Sequence, residues 1–220
     1  MSGRRVVAVV LPELLCEIAA EALLSIEPSI GEVPLAVVLD ADRTAAKLDA
    51  VNRVARRFGV NTGQTIVEAQ AFLSQLVVRT LALEKVHAAL ARVAEVALGY
   101  GSVVSVESVQ SSNDGRVALN DGRVALNDGR VALNDGRPAP DTVWIDITGA
   151  AHLKGGEQEL AEELHDQVRA LGHEVRLAIA NGKYIAQAIA RWGTRIPDSR
   201  HVEGVRRVLV VPEERTVRTL

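Results

Sequence analysis

A chain of 220 residues with 48% hydrophobic and 24% charged content has room for one or two domains and a real core, and fits a folded globular protein. The net charge of −3 excludes a uniformly basic nucleic-acid binder while leaving room for a local basic patch. The one cysteine, Cys16, excludes an intramolecular disulfide, argues against a structural zinc site and points to the cytoplasm. The start is basic and then apolar, Met1 to Arg5 followed by Val6 to Leu11. That apolar run is short and Pro12-Glu13 cuts it, so it reads as a first strand and not as a signal peptide. No apolar run reaches the roughly 18 residues that a bilayer span needs. Aromatic content of 3% leaves Ala, Val and Leu to build the core.

In chain order, Val6 to Val10 is apolar on both faces, as a central strand is. Pro12 opens a helix that runs from Glu13 to Leu24 with Leu14, Leu15, Ile18 and Leu23 as its apolar set. Glu27 to Glu32 is a loop, and Val33 to Leu39 a second strand. Thr44 to Arg57 has helical composition and carries Lys47, Arg53, Arg56 and Arg57. Phe58 to Gly63 is a tight turn, and Thr65 caps a short helix, Ile66 to Leu73. Leu76 to Val78 is a short strand. Leu83 to Leu98 is an amphipathic helix with Val86, Leu90, Val93 and Ala97 on one face, and Val103 to Val109 is a strand.

From Asn113 the unit Asn-Asp-Gly-Arg-Val-Ala-Leu recurs with a seven-residue period up to Arg137. Asn-Asp-Gly is turn chemistry and Arg-Val-Ala-Leu a minimal strand. Such a ribbon could bind a ligand or partner. The units are too identical and too short to form a core, which favours a loop enlarged by tandem duplication, floppy or disordered.

Asp141 to Gly149 is a buried strand in which Val143, Ile145 and Ile147 alternate with Thr142, Trp144, Asp146 and Thr148. Glu157 to Leu171 is a helix with Leu160, Leu164, Val168 and Leu171 at helical spacing. Val175 to Ala180 is a strand, Asn181-Gly182 a turn, Lys183 to Trp192 a helix and Val208 to Val211 a last short strand. This order gives a mixed sheet with packed helices, an α/β or α+β layer architecture. A carboxylate at the edge of a central strand is where metal-dependent phosphoryl chemistry keeps its ligands, which singles out Asp141.

Several segments together resemble one family. Ala55-Arg56-Arg57-Phe58-Gly59-Val60-Asn61-Thr62-Gly63-Gln64, with Glu68-Ala69 and Leu76-Val77-Val78, is similar to the fingers segment of Y-family (UmuC/DinB-like) translesion DNA polymerases. Tyr100 to Val104 resembles the lead-in to that family's acidic strand, Asp141 to Thr148 the strand itself, and Ala178 to Lys183 with Ala186 and Ala190 the following strand-to-helix turn. Leu11-Pro12, Trp144 to Glu157 and Ala180 to Arg191 are similar to the ImuB-type adaptor branch, with Lys154 where Phe is usual. The resemblance implies an α+β polymerase palm with a mixed sheet and packed helices, plus a small fingers subdomain. Residues 1–40 would be the first part of the palm, 41–80 the fingers, and 81–220 the second part of the palm with the repeat inserted at 113–137. A complete member would continue past Val211-Pro212 into thumb and little-finger domains, so the chain is expected to be a fragment or a truncated reading frame.

The resemblance also implies which positions would carry chemistry. Two-metal phosphoryl transfer needs carboxylates from more than one element around ions about 4 Å apart. Carried over by position, the first Asp falls at Val10 and the next coordinating position at Pro12; on the later strand Asp141 is kept and Thr142 takes the place of Glu. The expectation is a degenerate catalytic site with no metal and no cofactor, Mg²⁺ entering only if the chain is an active low-fidelity translesion polymerase. Glu13 or Asp141 could rebuild a partial site, although helix register argues against Glu13. Asp146 is expected to form structural hydrogen bonds, His152 to pack and Cys16 to act as a buried small hydrophobe. Arg56 matches the fingers Arg that contacts triphosphate, and Arg53 takes the place of an aromatic neighbour. Arg53, Arg56, Arg57 and Lys183 are the candidate phosphate- or DNA-binding set, against the alternative of a solvated helix face. Thr62-Gly63 could be a point of backbone approach, although a plain turn fits as well.

The implied function is that of a non-catalytic scaffold in DNA repair and translesion synthesis, cytoplasmic and nucleoid-associated, with no membrane. Its partners would be damaged or primer-template DNA and, through regions outside this chain, a catalytic translesion polymerase, a sliding clamp and other mutasome subunits. A remnant with no DNA role remains the alternative outside this class.

Overall fold

The computed structural model describes residues 4–24, 33–39, 46–106, 140–193 and 208–211. The architecture is α+β. A five-stranded sheet runs in the order β5 (Val103–Val106), β6 (Thr142–Asp146), β1 (Arg5–Val10), β7 (Arg176–Asn181) and β8 (Val208–Val210). β1 is antiparallel to both β6 and β7, β5 is antiparallel to β6, and β8 is parallel to β7. The central position of β1 explains its apolar run: all six of its residues are buried.

Strand alternation divides the sheet's side chains between two cores. Val7, Val9, Val143, Ile145, Leu177 and Ile179 join α1 (Leu14–Leu24), α4 (Leu83–Ala97) and α5 (Glu157–Ala170) in the larger one. Each of these Val and Ile side chains contributes about 1.5–3 kcal/mol relative to exposure. On the other face Val6, Ala8, Val10, Trp144, Ala178 and Ala180 meet α6 (Lys183–Trp192) through Ala186 and Ala190. Alanines on both sides let the helix lie close to the sheet.

A second sheet, β3 (Ala50–Val51), β2 (Leu35–Val38) and β4 (Val77–Thr80), carries the short helices α2 (Arg53–Arg57) and α3 (Ile66–Phe72). β2 pairs antiparallel with β3 and parallel with β4. It also joins the two parts of the molecule: Leu35 and Val37 enter the large core, while Ala36 and Val38 enter a small one with Leu48, Val51, Val60 and Leu76.

The helix expected over Thr44 to Arg57 is corrected, Thr44 itself lying outside the described residues. Lys47 bridges to Thr65, Ala50 and Val51 pair with Val37 and Ala36, and only Arg53–Arg57 is helical. Asn52 causes the break. Its Oδ1 accepts from the Ala55 amide as an N-cap and from the Leu35 amide, and its Nδ2 donates to the Val33 carbonyl. The Asp141–Gly149 strand ends at Asp146, and Val33–Leu39 narrows to Leu35–Val38. The loop at Glu27 to Glu32, the end of the Val103–Val109 strand and the heptad repeat lie outside the described residues.

Gly101 is required by contact: a Cβ there would lie 2.4 Å from the Asp146 carbonyl oxygen. Among the described residues no helix is long and apolar enough to cross a membrane.

Candidate functional site: a cleft where four arginines meet one strand end

Antiparallel pairing brings the end of β1 to the start of β6. Val10 stands opposite Thr142 on one side and Arg176 on the other, and the Leu11 amide donates to the Asp141 carbonyl at 2.9 Å. The positions expected to correspond, Val10, Pro12, Asp141 and Thr142, therefore converge. Val10 and Pro12 line a cleft of about 460 Å³ that opens between the two sheets' helices. The rest of its lining is Glu13, Arg53, Arg56, Arg176, Arg191 and Trp192.

Asp141 is held by Arg191, the penultimate residue of α6. Nη1 donates to Oδ2 at 2.9 Å and Nη2 to Oδ1 at 2.5 Å, a fork-on-carboxylate pair. Thr142 completes the cluster. Its hydroxyl donates to Asp141 Oδ1 at 2.6 Å and accepts from Arg191 Nη2 at 3.2 Å and Gln187 Nε2 at 3.1 Å. Gln187 and Arg191 reach the same spot because they lie four residues apart on one helix face. Arg176 Nη1 donates to the Arg191 carbonyl at 3.2 Å, tying β7 to the end of α6.

Glu13 reaches the cleft, which corrects the expectation that helix register turns it away. The helix starts at Leu14, not Glu13, and Glu13 sits in the turn before it. It is ion-paired with Arg56, and Arg53 Nε lies 3.9 Å from the same carboxylate oxygen. Burial raises the Glu13 carboxyl above its ordinary value, against the lowering effect of Arg56. Arg53 is also paired with Glu174, so Glu13 and Glu174 together hold two arginines of α2.

Of the expected basic set, Arg53 and Arg56 meet in the cleft. Arg57 is exposed and outside its lining. Lys183 is also elsewhere, with its ammonium 3.8 Å above the Trp144 ring. Arg176, Arg191, Gln187 and Trp192 are site residues that the sequence did not single out. For Gln187 and Arg191 the signal was a polar pair four residues apart beside the alanine stripe of α6.

The donor set does not fit a divalent cation. Asp141 is engaged by a guanidinium, Glu13 by another, and Val10 and Pro12 have no donor side chains. Among the described residues no three His, Cys, Asp or Glu side chains gather as metal ligands do.

The remaining candidates are separate from the cleft. Asp146 pairs with Arg4 at 2.8 Å and accepts from the Thr148 amide at 3.0 Å. His152, expected to pack, is exposed in a 3₁₀ turn over Ala151–Lys154 that ends at left-handed Gly155. Cys16 is buried, and burial with Glu13 nearby pushes its thiol up to about 12. Thr62 and Gly63 form an exposed turn.

The sequence matches the impB/mucB/samB family over residues 17–120. No curated protein matches it. Solved structures share the fold. An insertion ternary complex of Dbh DNA polymerase aligns with TM-score 0.62 and 17% identity, covering 94% of this chain and 48% of that one. DinB from Sulfolobus solfataricus gives TM-score 0.62 and 16% identity, covering 96% and 49%. A post-insertion binary complex of Dbh gives TM-score 0.64 and 16% identity, again covering 96% and 49%. The chain thus spans about half the length of the polymerases it matches. Over residues 17–120 the sequence is thus similar to the impB/mucB/samB family, and the fold is that of the palm and fingers of Y-family DNA polymerases.

Proposed function

We propose that this chain is a catalytically inactive, ImuB-type polymerase-like protein that acts as a scaffold in DNA repair and translesion synthesis. One observation carries the proposal: Arg191 grips both oxygens of Asp141, the one carboxylate kept at the converging strand ends. A two-metal reaction needs several carboxylates free to share two ions. Here a fixed cation takes the place beside Asp141, and the partner positions are Val10, Pro12 and Thr142. Residues 1–40 and 81–220 would act as the palm and residues 41–80 as the fingers. The scaffold would meet primer-template or damaged DNA in the cytoplasm, at the nucleoid. Its partners would be a catalytic polymerase, a sliding clamp and other mutasome subunits. The DNA polymerases that share its fold support the DNA contact.

Primer extension with Mg²⁺ or Mn²⁺ tests the proposal. No extension is expected from the protein or from Asp141→Ala. Extension that disappears in Asp141→Ala would establish the active, low-fidelity polymerase instead.

A further inference from the structure

We infer that the exposed phenylalanines at the ends of α2 and α3 form a docking surface for a protein segment that presents apolar side chains beside a carboxylate. The surface lies outside the cleft, whose lining includes none of its residues, and it stands whether or not the chain is catalytic. The chain has two phenylalanines, and Ala, Val and Leu dominate its cores. Neither phenylalanine is used there: Phe58 is 57% and Phe72 63% exposed. Each closes a short helix, Phe58 as the C-cap of α2 and Phe72 as the last residue of α3. The turn after α2 brings them together. Gly59 takes φ +86°, and a Cβ there would stand 3.7 Å from Phe72 Cδ1, so the Phe72 ring lies beside the neighbour of Phe58. Val67, 77% exposed, and exposed Ala71 extend the apolar surface along α3 at a spacing of four residues. Ala55, Val60 and Ala69 are buried in the small core beneath these helices, so the patch stands on a packed base. Adjoining exposed apolar side chains on a packed base mark an interaction surface.

Charge selects the occupant. Glu68, one turn before Phe72, is already matched. Its Oε2 accepts from the Thr65 amide at 2.8 Å in a capping box, and that bond, with Lys47 nearby, holds its carboxyl below the ordinary value. Arg57 adjoins Phe58 and is exposed, and among the described residues no carboxylate pairs with it. The unmatched charge at the rim is therefore positive. A complementary segment sets apolar side chains against Phe58 and Phe72 and an Asp or Glu against Arg57. A nucleic acid strand fits less well. Single-strand sites combine stacking rings with a basic groove that follows the backbone, and here one free arginine stands near a carboxylate.

The test pans a phage-displayed library of random short peptides on the full chain, with the Phe58→Ser/Phe72→Ser double variant as the counter-target. Peptides held by the parent alone are expected, and they should pair apolar or aromatic residues with Asp or Glu. A synthetic peptide of the enriched sequence should bind in the micromolar range by calorimetry and weaken about tenfold in either single Phe→Ser variant. Arg57→Glu should weaken it to a similar degree and should bind the same peptide again once its acids are replaced by Lys. Arg92→Ala, exposed on α4, should leave binding unchanged. The substituted positions are exposed, so melting temperatures should stay with the parent's, and the charge swap at Arg57 keeps the test decisive even if a Phe→Ser variant folds poorly. A library that does not separate the parent from the double variant would overturn the inference, as would an affinity indifferent to Arg57→Glu. A concentration-dependent dimer in sedimentation, abolished in the double variant, would assign the surface to a second copy of this chain instead. An oligothymidylate that binds the parent more tightly than the peptide, and is lost in the double variant, would assign it to nucleic acid. Primer extension judges the scaffold separately from all of these outcomes.

Discussion

The two ends of β1 use the same chemistry for opposite purposes. At its start, Arg5 is buried to 8% exposure and ion-paired with Glu157. It also donates to Asn181 Oδ1 and the Val211 carbonyl, both at 2.9 Å. That guanidinium ties together the first strand, the start of α5 and the ends of β7 and β8. At the far end of the same strand Arg191 forks onto Asp141, but the group opens into a cavity lined by three more arginines. Both ends hold an Arg–carboxylate pair. The difference is what surrounds it: strand and helix ends close over Arg5, whereas Arg176, Arg53, Arg56 and Trp192 leave Arg191 facing a space. An ion pair alone therefore does not mark a functional site. The excess of one sign around an accessible volume does.

Removing Arg5 is the strongest way to break the comparison. Arg5→Met strands Glu157 and two acceptors, Asn181 Oδ1 and the Val211 carbonyl, in a closed setting and should cost about 3–5 kcal/mol. For a chain of this size that lowers the melting temperature by roughly 10 °C, read by circular dichroism. Loss of less than about 1 kcal/mol would mean that this end is as open to water as the other. Arg191→Ala should cost less, about 1–2 kcal/mol, because Asp141 gains access to the cleft's water. Its informative readout is paramagnetic Mn²⁺ broadening. Asp141 freed of its arginine should begin to bind Mn²⁺ weakly, while primer extension stays absent because Val10 and Pro12 still offer no ligand. A variant with unchanged Mn²⁺ binding would show that Arg191 is not what keeps the cation out.

Much of the fold was legible because its signals are local. The six apolar residues of β1 announce a central strand, and the spacing of Val86, Leu90, Val93 and Ala97 announces α4. What failed was non-local. Ala50 and Val51 are extended only because β2 is there to pair with them, and helical composition outvoted that pairing in the sequence. Resemblance picked out Val10, Pro12, Asp141 and Thr142, and these four lie together at the ends of β1 and β6. Arg176 and Arg191 could not, since their role depends on a strand and a helix closing on residues far away in sequence. Lys183 illustrates the converse. A lysine at the head of a helix invites a phosphate, yet Trp144, on the adjacent strand β6, takes its ammonium.

Glu13 offers the smallest effect and the finest test of the open end. Burial raises its carboxyl in the folded chain, even with Arg56 beside it. The folded state therefore holds the Glu13 proton more tightly than the unfolded chain does. Ionising Glu13 opposes folding, and stability from this group declines as pH rises from the ordinary carboxylate range through the raised value. Glu13→Gln removes the charge while keeping an acceptor for Arg56. At neutral pH the variant should melt at the same temperature as the parent or slightly above it. The difference should shrink as pH falls below the raised value and vanish below the ordinary carboxylate value, where both the folded and the unfolded parent are protonated. A variant markedly less stable at neutral pH would mean that the Glu13–Arg56 pair more than offsets its desolvation. That pair would then hold α2 against the turn before α1.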